Sequence, residues 1–270
     1  MKILPYSCQW ISHEDIEAVT RVLKSDWLTQ GPILSEFEKA LAGLTGAKHV
    51  IAVSNGTAAL YLACRALGFG KHFTGITSPL TFVASANCIE FCGGRADFVD
   101  VDSGTLCLDP SLLEDECRKG HVPDVVIPVD FAGLAADLPE IWKLSRIYGF
   151  KIIEDAAHAL GSRYLFDGKW HNCGSCTHSH LAIFSFHPVK NITSGEGGAI
   201  LTNDDELAEK VRLLANHGIE RRAEYLSGNL KDSGWYYEMQ DISLNFRLSD
   251  IHAALGLSQL NHLYDFKQKR

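Results

Sequence analysis

The stretch that decides the reading is SFHPVKNITSGEGGAI, residues 185–200. A strand-like apolar run, LAIFSF (181–186), leads into it, and GGAILT (197–202) reads as a second strand on its far side. Between them stands a single lysine, Lys190, followed by a turn rich in hydroxyls and glycine. A lysine so placed is a surface cation, a phosphate contact or a nucleophile that holds a cofactor. The rest of the chain decides among the three.

Upstream, apolar runs alternate with helical patterns. HVIAVS (49–54), FTGITSP (73–79), RADFVDV (95–101), PDVVIPV (123–129) and FKIIED (150–155) read as strands. TAALYLACRALG (57–68), TFVASANCIEFC (81–92) and LPEIWKLSRIYG (138–149) read as helices. Strands this uniformly apolar are covered on both faces. The alternation therefore predicts an α/β fold with a mostly parallel sheet flanked by helices. Ser12 and Asp15 form a capping-box start for a helix through about Lys24, and a second amphipathic segment covers about 34–44. The segment 167–180 is turn-rich and polar. Helices are expected over 204–215 and 249–265. The last pattern runs into LYDFKQKR with no Gly, Asn or Pro stop signal, so the chain is expected to finish inside a helix.

The 270 residues are 46% hydrophobic and 21% charged, an ordinary globular composition. A net charge of −8 argues against general binding to nucleic acid or to an anionic membrane surface. No apolar run approaches the roughly 20 residues of a membrane span, and the N-terminus has no signal-peptide core. Eight scattered cysteines predict a reduced, cytoplasmic protein.

Several short motifs fall at predicted strand ends, where open α/β sheets bind ligands. In SNGTAAL (54–60), Gly56 and Thr57 open a helix, whose free amides and dipole suit a phosphate. The plain alternative is a tight turn capped by Ser54 or Asn55. In EDAAHALG (154–161), Asp155 projects from a strand end, and a protonated ring nitrogen is a fitting partner for it. Otherwise it is a helix N-cap, with His158 one helical turn on as a core histidine. In PLTFVASAN (79–87), Phe82 is a stacking ring or an ordinary core residue. CGSCTHSH (173–180) has some of the spacing of a zinc site. The C-x-x-C is single, however, so Cys173 and Cys176 are read as small residues in a surface loop rather than as ligands with His178 and His180; no metal is expected. Taken together, a phosphate turn, a stacking aromatic, an acid at a strand end and a later lysine match the needs of pyridoxal 5′-phosphate, with Ser185 adding a hydroxyl to the phosphate cup.

These residues, together with LTQGP (28–32) and NFRLSDIHAALGLSQL (245–260), make the chain resemble the DegT/StrS family of nucleotide-sugar aminotransferases, within the fold-type I pyridoxal phosphate enzymes. The resemblance runs along essentially the whole chain, and SFHPVK followed by GEGG is its most specific part. It implies that Lys190 is the catalytic, cofactor-holding lysine, that Asp155 pairs with the ring nitrogen, and that His158 sits near the ring hydroxyl. It implies Phe82 as the stacking ring and Gly56, Thr57 and Ser185 as phosphate contacts. Asn245 would reach that phosphate from a second copy, which implies a homodimer with shared sites. Tyr6 and the run Asp26, Trp27, Leu28 and Thr29 would contact the sugar nucleotide. Among the subfamilies the chain looks most like the 4-aminotransferases of pseudaminic acid biosynthesis. That implies transfer of an amino group from L-glutamate to a UDP-linked 4-keto-6-deoxy-N-acetylhexosamine. Relatives that remove a 3-hydroxyl carry histidine in place of the lysine, which is kept here. The resemblance also implies a large cofactor domain over 1–248, the start of a connecting helix over 249–270, and a C-terminal small domain largely missing. The competing readings are an aminotransferase for another keto sugar, a non-catalytic regulatory protein on the same fold, and a zinc module.

Overall fold

The computed structural model describes residues 7–227 and 233–269. Tyr6 lies outside the described residues. Ser12 caps α1 (His13–Leu23): its hydroxyl accepts from Asp15 N at 3.2 Å, and the Asp15 carboxylate accepts from Ser12 N at 2.9 Å. There follow α2 (Pro32–Thr45), β1 (His49–Val53), α3 (Gly56–Ala66), β2 (Thr74–Thr77), α4 (Ala84–Phe91), β3 (Arg95–Phe98), α5 (Pro110–Arg118), β4 (Val125–Ile127), α6 (Leu138–Tyr148) and β5 (Lys151–Asp155). After these come β6 (Arg163–Phe166), β7 (Lys169–Asn172), β8 (Leu181–Ser185), β9 (Gly198–Thr202), α7 (Asp205–Ala215), α8 (Asp250–Leu260) and α9 (Leu263–Lys269).

Seven strands form one sheet in the order β1-β9-β8-β5-β4-β2-β3. The pairings β2–β3, β2–β4, β4–β5 and β5–β8 are parallel, whereas β9 is antiparallel to both of its neighbours. Within this sheet only β9 is reversed, so β1, β8 and β5 all end at the same edge. Helices cover both faces. On one face α3, α4 and α7 pack over Ile153, Ile183 and Ile200. On the other, α2 and α8 cover Ala182, Phe184 and Ala199, while α5 and α6 cover Val126 and Ile152. The period of two along β5 therefore assigns sides: Ile153 and Asp155 face α3, while Ile152 and Glu154 face away.

The structure departs from the expected elements in several places, of which three bear on the packing. The polar segment 167–180 contains β7, which closes a hairpin with β6 across Asp167-Gly168, both with positive φ (49° and 69°). That is the Asp-Gly signature of a two-residue hairpin turn. Helix α5 has a clear start, with the Asp109 side chain accepting from Ser111 N and Pro110 in the first position. The expected helix over 249–265 breaks at Asn261, and α9 sets off afresh. In it Leu263 is buried, and Phe266 lies edge-on to Trp10, 5.8 Å between ring centroids.

Asp250, at the start of α8, also caps a helix far away in sequence. Gly31, at the N-cap of α2, has no side chain to offer. The Asp250 carboxylate instead accepts from the backbone N–H groups of Gly31 (2.8 Å), Ile33 (3.1 Å) and Leu34 (3.3 Å).

Candidate active site

A cavity of about 540 Å³ opens at the edge where β1, β5 and β8 end, lined by Gly56, Thr57, Phe82, Asp155, His158, Ser185 and Lys190. Seven expected site residues thus meet in one place, drawn from four separate stretches of chain.

Each arrives by a local cause. Chain leaving β1 turns at once into α3, where the Asn55 side chain accepts from Ala58 N at 2.8 Å. The amides of Gly56 and Thr57 are the first two of the helix and lie outside its internal bonding. Backbone packing there is close. A Cβ on Gly56 would lie 2.9 Å from Ser185 Cβ, and one on Gly198 would lie 2.5 Å from the carbonyl carbon of Asn55. Glycine at both positions lets the turn lie flat against the ends of β8 and β9.

Asp155 ends β5 and is only 5% exposed. No helix follows it, contrary to the N-cap alternative. The chain makes a tight turn, Ala159 N donating to Ala156 O at 2.8 Å, and this turn brings His158 to the cavity. Both Asp155 oxygens accept hydrogen bonds: Oδ2 from Ser85 Oγ (2.7 Å) and Oδ1 from Ala157 N (3.2 Å). Phe82 is not a core residue. It is 69% exposed, on the turn leading into α4. Lys190 is half-buried. Burial lowers the pKa of its amine, and the Asp155 charge opposes that shift. His158 is also pushed down, first by burial and then by Lys190, so the neutral ring is favoured.

Sequence reasoning missed Thr81, Ser85, His187 and Glu196. Thr81, His187 and Glu196 line the cavity, and Ser85 touches Asp155 from behind. Thr81 and Ser85 stand four residues apart around Phe82, a helical spacing visible in TFVAS.

Other expected contacts lie elsewhere. Asn245 is exposed and is not among the residues lining the cavity; it pairs with Asn216 in an isolated bridge, and its side-chain oxygen accepts from Arg247 N at 3.1 Å. Asp26, Trp27, Leu28 and Thr29 are exposed and are not brought to this cavity. Trp27 lines a separate groove between α1, α2 and α8.

Cys173 and Cys176 are both buried, not surface-loop residues as expected. Their loop is drawn back onto the sheet, with Gly174 N donating to Glu154 Oε1 at 2.7 Å. The four side chains of the zinc-like motif find separate partners. Cys173 lies beside Asp130 and Glu154, and Cys176 Sγ is 3.2 Å from Leu201 O. His178 Nδ1 meets Tyr164 OH at 2.8 Å, and His180 Nδ1 accepts from Ile152 N at 3.1 Å. All eight cysteines are free thiols, and no described helix is long and apolar enough to cross a membrane.

Comparison with known proteins places this geometry. The chain is 40% identical over 269 residues to the spore coat polysaccharide biosynthesis protein SpsC of Bacillus subtilis, covering 99% of this chain and 66% of that one. It is 39% identical over 270 residues to a UDP-4-amino-4,6-dideoxy-N-acetyl-beta-L-altrosamine transaminase of Campylobacter jejuni, covering 99% and 67%. Among solved structures it is similar to Helicobacter pylori PseC, an aminotransferase involved in the biosynthesis of pseudoaminic acid. The TM-score is 0.84 at 32% identity, over 98% of this chain and 67% of that one. A putative sugar aminotransferase of Streptococcus pneumoniae, solved in its PMP-form, matches with a TM-score of 0.85 at 28% identity, over 99% and 69%. The chain spans about two thirds of the length of these relatives. A family model matches residues 9–270, and the chain belongs to the DegT/DnrJ/EryC1/StrS aminotransferase family.

Proposed function

We propose that this chain carries the cofactor site of a pyridoxal phosphate-dependent nucleotide-sugar aminotransferase. Its reaction moves an amino group from L-glutamate to C4 of a UDP-linked 4-keto-6-deoxy-N-acetylhexosamine, giving UDP-4-amino-4,6-dideoxy-N-acetyl-β-L-altrosamine. The observation that carries the reading is the meeting of Lys190, Asp155 and the α3 start in one cavity.

The residues present fit the cofactor. Gly56 and Gly198 let the start of α3 pack against the ends of β8 and β9, which fixes the amides of Gly56 and Thr57, at the positive end of a helix, beside the cavity. The hydroxyls of Thr57 and Ser185 border it, Phe82 offers a ring face, and Asp155 offers a fixed anion. Bound there, pyridoxal phosphate supplies a carbonyl carbon that links to amines and a ring that draws electrons from the substrate.

The chain's own groups do the rest. Lys190 would hold the cofactor through its amine, and the same amine, when free, would take and return a proton at the substrate carbon. Burial, which lowers the pKa of that amine, favours the neutral form needed as a base. Asp155 keeps a proton on the ring nitrogen. Neutral His158 offers a hydrogen bond to the ring hydroxyl. Asn245 of a second copy completes the phosphate contacts in a cytoplasmic homodimer, with Tyr6 and Asp26 to Thr29 addressing the sugar nucleotide.

The similarity to the Bacillus protein, as high as that to the altrosamine transaminase, supports a second reading in which the same chemistry serves another keto sugar. The test has two stages. Borohydride reduction of protein incubated with pyridoxal phosphate, followed by peptide mass mapping, is expected to fix the cofactor on Lys190, and Lys190→Ala is expected to remove that label. A panel of UDP-keto sugars then identifies the acceptor. A label spread over surface lysines sinks the proposal.

A further inference from the structure

Asp155 is held from behind by a side chain that no motif pointed to. Ser85, on the first turn of α4, is fully buried, and its hydroxyl is 2.7 Å from Asp155 Oδ2 across 70 residues of sequence. The same hydroxyl lies 2.8 Å from Thr81 Oγ1 and 3.3 Å from Phe82 O. A hydroxyl has one proton to give. The carboxylate is the shortest and the only charged acceptor, so the Ser85 proton goes to Asp155. Thr81 then donates to the Ser85 oxygen. The order Thr81 to Ser85 to Asp155 follows from that single proton and the charge of its acceptor.

Ala157 N donates to the other Asp155 oxygen at 3.2 Å. Two donors on different oxygens, one from α4 and one from the turn after β5, fix the plane of the carboxylate. Its remaining lone pairs are left for the cavity that Asp155 lines. Ser85 N also donates to Phe82 O at 3.2 Å. One residue therefore ties the exposed ring to the buried acid.

We propose that Ser85, supported by Thr81, is a positioning residue: it aims the Asp155 carboxylate at the ring nitrogen of the cofactor and holds Phe82 in register with it. The proposal rests on the cavity being the pyridoxal phosphate site. Ser85 touches neither cofactor nor substrate and acts only through Asp155 and the turn at Phe82. Removing its hydroxyl leaves a carboxylate of unchanged charge but unfixed plane, so the contact with the ring nitrogen weakens without vanishing.

The test titrates pyridoxal phosphate into wild-type protein, Ser85→Ala, Ser85→Thr and Thr81→Val, reading the dissociation constant and the pH midpoint of the bound cofactor's visible absorbance. Ser85→Ala is expected to raise the dissociation constant about tenfold, the cost typical of a hydrogen bond to a charged group, and to displace the midpoint. Ser85→Thr keeps the hydroxyl and is expected to restore both. Thr81→Val is expected to move both in the same direction by about two- to threefold in affinity. Thr81→Val and Ser85→Thr carry the test if Ser85→Ala folds poorly. A purely structural role would lower stability while leaving the midpoint in place, which overturns the inference. Wild-type uptake with variants indistinguishable from it overturns this inference alone. No uptake by wild-type protein removes the functional reading and this inference with it.

Discussion

Glu154 and Asp155 are consecutive on β5, and their carboxyl groups lie on opposite faces of the sheet. Asp155 lines the cavity. Glu154 is sealed on the far side with Asp130 and Cys173, accepting from Gly174 N at 2.7 Å and Ser179 Oγ at 3.2 Å. Asp130 accepts from Ala136 N at 2.9 Å, while its Oδ2 is buried without a hydrogen-bond partner. Two carboxyl groups this close in a dry pocket do not both ionise. Burial pushes both up, Glu154 to about 7.

A raised acid stabilises the fold fully below its unfolded pKa, and that contribution is lost as pH rises through the folded value. For Glu154 the window runs from 4.5 to about 7. Wild-type protein is therefore expected to lose stability across that window, and Glu154→Gln, which cannot ionise, to lose less. The difference by about pH 8 is on the order of 3 kcal/mol. Urea unfolding at a series of pH values reads it. Parallel pH profiles for the two proteins would show that Glu154 is already ionised in the fold.

Asp155→Asn keeps the shape of the acid and removes its charge. Amino transfer is expected to fall by roughly 10²–10³, the scale of removing one preorganised electrostatic contact. A second consequence needs no bound cofactor. Burial lowers the pKa of the Lys190 amine and the Asp155 charge raises it, so the substitution is expected to lower that pKa further. The rate of Lys190 modification by an amine reagent in cofactor-free protein, followed against pH, would then show its midpoint moving to lower pH. A midpoint that stays put would mean that Asp155 does not act on Lys190.

Much of the site was legible because its parts are local. Gly56 and Thr57 follow a strand, Asp155 ends one, and Lys190 sits between two. Each needed only its own neighbours in sequence to be placed at the ligand-binding edge. The Asp-Gly pair at 167–168 was equally local, and reading it would have found the β6–β7 hairpin. What could not be read was tertiary. The bond from Ser85 to Asp155 spans 70 residues, and the cap that Asp250 places on Gly31 spans 219. Burial of Cys173 depends on its loop being drawn onto Glu154, which composition does not show. Asn245 and the run Asp26 to Thr29, expected as contacts from the resemblance alone, line no part of the cavity.

Metal removal is expected to change nothing. Cys176, His178 and His180 each have a separate partner, so they do not converge as a four-ligand zinc site would require. Purified protein incubated with a strong zinc chelator should keep its unfolding midpoint, and elemental analysis should find zinc well below one equivalent per chain. A stoichiometric metal whose loss lowers the midpoint would point instead to Asp130, Glu154 and Cys173, whose donor atoms lie within 4.8 Å of one another.

Asp250 tests whether the start of α2 depends on a carboxylate supplied from the other end of the chain. Asp250 is fully buried, and its own N–H donates to Leu28 O at 3.1 Å. Asp250→Ala leaves three amides at the start of α2 without their acceptor and a void behind them. The expected loss is about 3–5 kcal/mol, the range for unpairing buried, charge-assisted groups. Asp250→Asn retains an acceptor oxygen and should recover part of it. Ser12→Ala is the internal comparison, since it removes an ordinary cap from α1 at about 1 kcal/mol. Urea unfolding of the three variants ranks them. If Asp250→Ala costs no more than Ser12→Ala, the start of α2 finds its acceptors elsewhere and the long-range cap is incidental.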